Sequence, residues 1–140
     1  MLSLVYTSTA TSTFDDADLA VLLMNSRANN RRLGLTGFLL YKDGRFLQVL
    51  EGPDDVVRDR LRIIEADPRH GDLTVLMEDE VPERQFPEWS MGYETITDAL
   101  ADQIPGYQAA TDVTSPLGLD YRPAVRQMLA WFQNRTAEAV

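Results

Sequence analysis

The sequence predicts an α+β fold, ferredoxin-like β-α-β-β-α-β plus a fifth strand, with two helices on one sheet face and C-terminal helices covering the other. Three observations carry this prediction. Apolar or alternating runs of strand length recur at Leu2 to Thr9, Leu35 to Lys42, Arg45 to Glu51 and Leu73 to Met77. Stretches with helical spacing fill the gap after the first run and the gap after the third. The two middle runs are separated only by Asp43-Gly44, a strong two-residue hairpin turn.

The first strand alternates, with Leu2, Leu4, Tyr6 and Ser8 on one face and Val5 and Thr7 on the other. Ser12-Thr13-Phe14-Asp15 reads as a capping box opening the first helix. Its apolar stripe of Leu19, Leu22 and Leu23 runs on into Ser26 and Asn30, so its core face turns polar at the C-terminal end. Either that end meets a polar ligand, or Asn29 or Asn30 is a plain helix C-cap.

The hairpin loop sets the register of the next two strands. Lys42 faces Arg45, Tyr41 faces Phe46, Leu39 faces Gln48 and Gly37 faces Leu50, with bare Gly37 leaving room on that face. The other face carries Phe38, Leu40, Leu47 and Val49, so both sides need cover. Gly52-Pro53-Asp54 opens a second helix, because proline suits a first turn and acids suit the N-terminal dipole. Val57, Leu61 and Ile64 form its stripe, and Asp67-Pro68 ends it. A short fifth strand is expected at Trp89 to Tyr93, where alternation would point Trp89 and Met91 to the same side.

The tail is expected to hold a short helix from Thr97 to Asp102, a loop through Pro105-Gly106 and Ser115-Pro116, and a helix from about Asp120 to Asn134. Val125, Met128, Leu129 and Phe132 lie at helical spacing in the last. Its expected job is to cover the second sheet face, in its own chain or across a homodimer. The expected division is 1–96 and 97–140 within one compact unit.

Composition removes several classes of function. The chain has 140 residues, which is a prior for one domain. With no cysteine and a single histidine, it offers no disulfide, thiolate metal site, cysteine nucleophile or multi-histidine metal centre. A net charge of −9 argues against nucleic acid or an anionic membrane as main partner. No run approaches the length of a membrane span, and the start lacks a signal-peptide pattern. A soluble cytoplasmic protein is expected.

One residue does not suit its strand. In GRFLQVLEG the amide of Gln48 sits mid-strand among apolar neighbours, and a buried amide without partners is costly. No polar residue shares its face on the hairpin partner, so a ligand is a better explanation than a neighbouring strand or a buried water.

The segments LVYTSTAT, SRANN, GLTGFLLYKDGRFLQVLEG, DPRH and FPEWSMG, in this order and spacing, resemble a BLUF domain, the flavin-binding blue-light sensor. The resemblance covers about residues 2 to 95, and the tail is similar to those of short stand-alone members. It implies non-covalent FAD, with the ring between the two helices against the sheet. It also implies roles residue by residue: Tyr6 as the redox-active tyrosine, Gln48 as the switching glutamine and Asn30 as the amide bonded to the ring. Asp67, Arg69 and His70 match positions bordering the flavin and its ribityl–phosphate arm. Trp89 and Met91 match the pair whose rearrangement reports the light state, and Ser8 a serine that accepts the tryptophan N–H in one arrangement. Asn29 is counted with the cofactor-binding positions, although certain relatives carry histidine there, and Val49 stands where some have tryptophan. Arg27, Arg31 and Arg32 are candidates for steering the FAD phosphates, or else a plain basic helix end.

The implied photochemistry takes an electron and then a proton from Tyr6, with Gln48 as the bridge. Gln48 is left rotated or tautomerised, and its new bond to flavin O4 shifts absorption slightly to the red. No enzymatic step is expected, and the output is a separate, unidentified protein partner. Two other classes remain in view: a light-independent ligand-binding or dimerisation module of the same fold, and a small acyl-phosphate hydrolase. This sequence has no arginine-bearing glycine-rich phosphate loop after the first strand, which weakens the hydrolase reading.

Overall fold

The computed structural model describes residues 1–11, 15–87, 89–111 and 122–139. The chain divides into two compact units, Met1–Thr95 and Ile96–Val140. The first contains strands β1 (Leu2–Ala10), β2 (Thr36–Lys42), β3 (Arg45–Gly52), β4 (His70–Glu80) and β5 (Gly92–Thr95), with helices α1 (Asp16–Leu33) and α2 (Asp54–Glu65). The sheet order is β4-β1-β3-β2-β5. β3 lies antiparallel between β1 and β2, and β5 adds parallel to β2. This is the expected α+β, ferredoxin-like arrangement with a fifth strand.

The two-residue turn fixes the hairpin as expected. Asp43 and Gly44 both take left-handed backbone angles, the conformation that matches strand twist, and Leu39 pairs with Gln48. One sheet face is buried against both helices. Leu2, Leu4 and Tyr6 of β1 join Leu39, Phe46 and Leu50 of the hairpin, Leu19 and Leu23 of α1 and Val57 of α2 in one cluster. Each fully buried side chain of this size contributes about 1.5–3 kcal/mol, so this layer is the main force holding α1 and α2 over Gln48.

Several expectations need correction. α1 is capped by Asp15, whose side chain accepts from the Asp18 N–H while Asp18 reaches back to the Asp15 N–H. The capping box thus sits at Asp15 and Asp18; Ser12, Thr13 and Phe14 lie outside the described residues. Neither Asn29 nor Asn30 caps α1, which continues to Leu33 and ends on left-handed Gly34. β4 extends well beyond Leu73 to Met77, because its acidic end pairs with Leu2–Leu4. Arg58 and the N-terminal amine hold Glu78 and Glu80 there.

Gly37 does not leave room in a pocket. Its φ is +148°, and a Cβ there would stand 1.8 Å from the Val49 carbonyl oxygen. The residue is bare because β2 and β3 approach too closely for any side chain. The fifth strand begins at Gly92, opposite Phe38, and not at Trp89. Pro87 lacks an N–H and fixes its φ, and the carbonyls of Trp89, Ser90 and Met91 are bonded to β2 and α1 outside any ladder of their own.

In the second unit, α3 (Asp98–Gln103) is capped by the Thr97 hydroxyl, α4 (Tyr107–Thr111) follows, and α5 spans Arg122–Ala139. The expected loop through Pro105-Gly106 therefore leads into a helix. Ser115, Pro116 and Asp120 lie outside the described residues. Val125, Met128, Leu129 and Phe132 are buried, as their spacing predicts. Among the described residues no helix is long and apolar enough to cross a membrane.

Candidate functional site

Gln48 pairs directly with Tyr6 across β1 and β3. Both side chains lie on the helix-covered face, 7% and 3% exposed. The Tyr6 phenol donates to Gln48 Oε1, so a neighbouring strand does satisfy half of the amide. The hairpin alone could not reveal this, because the partner comes from β1. The donor half differs: among the described residues Gln48 Nε2 reaches only the Met91 thioether, at 3.5 Å, a weak acceptor. The register of β1 against β4 shifts between Val5 and Tyr6, a local irregularity of the kind that re-aims a side chain.

Burial pushes the Tyr6 phenol well above its ordinary value of about 10; the positive Arg60 opposes this and Asp67 adds to it. The phenol therefore holds its proton throughout the ordinary pH range. It becomes a strong acid only if an electron is removed first.

Around this pair lies a cleft that opens to solvent, with about 690 Å³ of empty space when that open part is included. α1 contributes Leu22, Ser26 and Asn30, α2 contributes Arg60, Ile63 and Ile64, and the sheet floor carries Tyr6, Ser8, Leu39, Phe46 and Gln48. Asp67, Arg69 and His70 line the same cleft. Hydrogen bonds from Arg69 hold the Asp67 carboxyl down at about 2. His70 Nε2 stands 2.6 Å from the Ile64 carbonyl and its ring is edge-on to Phe46. Ser8 Oγ is buried without a hydrogen-bond partner among the described residues.

The structure brings together Tyr6, Ser8, Asn30, Gln48, Asp67, Arg69 and His70, with Met91 against Gln48. Asn29 does not line the cleft; its side chain accepts from Arg32. Trp89 and Met91 do not share a side. Met91 is buried in the Tyr6 cluster, while Trp89 packs edge-on to Phe38, at 5.4 Å between centroids, beside Phe86. Phe38 pairs with Val49 on the opposite sheet face, so Trp89 is turned away from Gln48 and Ser8. Alternation fails here because Trp89 to Met91 is not strand.

Sequence reasoning missed two residues that shape the site. Arg60 lies one turn before Ile63 and Ile64, a helical spacing that could have placed it on the cleft. Glu51, fully buried on β3, accepts from the backbone N–H groups of Gln85 and Phe86 at 2.8–3.1 Å. Burial raises its carboxyl while those N–H groups oppose the shift. A polar residue among apolar strand neighbours was the available signal, as it was at Gln48.

Residues 1–92 match the family model described as sensors of blue-light using FAD. The chain belongs to the BLUF family. Over 122 residues, 86% of this chain, it is 33% identical to the photoactivated adenylate cyclase subunit beta of Euglena longa, and spans 14% of that protein. It is 34% identical over 119 residues to the blue light- and temperature-regulated antirepressor BluF of Escherichia coli strain K12, spanning 29% of it. Among solved structures, the dark state of BlrB, a BLUF protein, superposes with a TM-score of 0.74 at 31% identity, covering 93% of this chain and 96% of that one.

BLUF domains use FAD, and the residues here fit it. A flavin ring has an apolar edge, suited to Leu22, Ile63 and Ile64, and a polar edge of carbonyls and nitrogens. Gln48 presents a donor with only a thioether to serve, and Ser8 an unused hydroxyl. Asn30 adds a second amide, and amides offer both donor and acceptor atoms.

Proposed function

We propose that this blue-light photoreceptor is switched by the Tyr6–Gln48 pair and signals to a separate cytoplasmic protein. The observation that supports this most is the asymmetry of the Gln48 amide. Its acceptor is bonded to a phenol, while its donor faces the cleft with only a thioether beside it.

Bound FAD supplies absorption of blue light and, once excited, a demand for an electron and a proton. Tyr6 is the electron source on this reading, and its phenolic proton moves to Oε1 of Gln48, where the hydrogen bond already stands. The raised pKa of Tyr6 sets the order, because the neutral phenol does not release the proton unaided. The electron and proton then return to Tyr6, so nothing is oxidised overall, while Gln48 is left with its hydrogen bonds rearranged by rotation or tautomerisation and Nε2 off the Met91 sulfur. Asn30 and Gln48 orient the polar edge of the ring, Leu22, Ile63 and Ile64 exclude water from the apolar edge, and Asp67, Arg69 and His70 border the ribityl–phosphate arm.

The signal is carried by Met91 into β5, from which the chain runs on into the 97–140 extension, the proposed output segment. The relatives' named outputs, a cyclase and an antirepressor, differ from each other, so the partner here is defined only as a protein. Purified protein loaded with FAD is expected to be yellow, to shift slightly red under blue light and to recover in darkness. Protein that cannot be loaded with FAD, or a loaded spectrum indifferent to light, would refute the reading.

A further inference from the structure

Among its described residues, which leave out Glu88, the stretch from Phe86 to Met91 has no ladder of its own, yet three successive carbonyls in it are bonded. The Gly37 N–H donates to Trp89 at 2.8 Å, Asn30 Nδ2 to Ser90 at 2.8 Å and Arg27 Nε to Met91 at 2.9 Å. Two of these donors are side chains one turn apart on α1.

The points that hold this stretch are unequal. At its start, the buried Glu51 carboxylate takes the N–H groups of Gln85 and Phe86, and Arg84 ties down the Glu51 carbonyl and the Thr36 hydroxyl. Freeing that end would strand a buried charge. Asn30 is 2% exposed, so its release would strand a buried amide. Arg27 is exposed, does not line the cleft, and can exchange its carbonyl for water at little cost.

We propose that Arg27 is a positioning residue for light signalling: a releasable latch that holds the Met91 carbonyl and so keeps Met91 Sδ beside Gln48 at rest. The proposal rests on Gln48 being the switch. When Nε2 turns away, Met91 loses its side-chain hydrogen bond, and the Arg27 bond to its carbonyl remains as the exposed one of the three that hold Trp89 to Met91. β5 begins at the next residue, so opening the latch frees the start of that strand while the Glu51 end stays fixed. Arg27 thus serves the proposed signalling segment, a role distinct from phosphate steering.

The test is hydrogen exchange on the FAD-loaded protein, in darkness and under blue light, with Arg27→Ala beside wild type. In the dark variant, exchange at Ser90–Thr95 is expected to rise by about twofold to tenfold, the factor one net hydrogen bond is worth, toward the illuminated wild-type level. The light-induced red shift should keep its amplitude, because the Tyr6–Gln48 pair is untouched. Arg27→Lys, which can still donate to the carbonyl, should restore dark protection. Unchanged dark exchange at Ser90–Thr95 overturns the latch. So does a rise spread over α1 and the sheet, which would mark a merely structural role. If Arg27→Ala does not fold, Arg27→Gln must show the local rise, and wild-type protection there overturns the proposal. Absence of a red shift in wild type would instead fail the photoreceptor reading, which the exchange data do not address.

Discussion

Tyr6 and Gln48 stand directly opposite each other on β1 and β3, and the phenol donates to Oε1 of the amide on the face that α1 and α2 cover. This pairing gives Gln48 two unlike halves. One is bonded to the phenol and the other reaches a weak thioether acceptor.

Burial of Tyr6 sets a pH dependence. Its pKa is higher folded than unfolded, so the folded state binds the proton longer. The stability linked to this is present below pH of about 10, the unfolded value, and is lost as pH rises beyond it. Denaturant unfolding between pH 8 and about 11 should show a steeper decline for wild type than for Tyr6→Phe. Parallel profiles would contradict the assignment.

Glu51 fixes the start of the proposed signalling segment. Glu51→Ala removes the acceptor of two backbone N–H groups and should cost about 1–3 kcal/mol for each one left buried. Glu51→Gln keeps one carbonyl oxygen and should lose less. Urea unfolding of both variants checks the order, and an alanine variant as stable as wild type would show that Gln85 and Phe86 are held by other contacts.

Gly37→Ala tests the close approach of β2 and β3. The methyl group would overlap the Val49 carbonyl at 1.8 Å, and relief requires parting the central hairpin. A loss of more than about 3 kcal/mol is expected from strain and overpacking together. A variant of near-normal stability would mean that the strands can separate there.

Where local chemistry decided the outcome, the sequence was readable. Asp43-Gly44 set the hairpin register down to Leu39 opposite Gln48, and the amide in an apolar run marked the site. Where distant hydrogen bonds decided it, the sequence misled. Trp89 and Met91 were expected on one side because alternation presumes a strand, but donors on β2 and α1 hold that stretch and turn the two apart. Gly37 looked like space for a ligand, because a one-letter reading cannot show that the missing side chain points at a neighbouring backbone. Glu51 passed as a strand end, since its partners Gln85 and Phe86 lie more than thirty residues away. The Tyr6–Gln48 bond could be inferred from the family resemblance, but not from the hairpin, which leaves β1 unplaced.

The most direct test of the central claim is the light-minus-dark absorption spectrum of FAD-loaded Tyr6→Phe, with Gln48→Ala as its companion. The phenylalanine keeps the ring that packs in the core and removes only the donor to Oε1. Both variants should retain flavin and lose the red shift, while wild type shows it and recovers in darkness. A red shift of wild-type size in Tyr6→Phe would contradict the assignment of this pair as the switch.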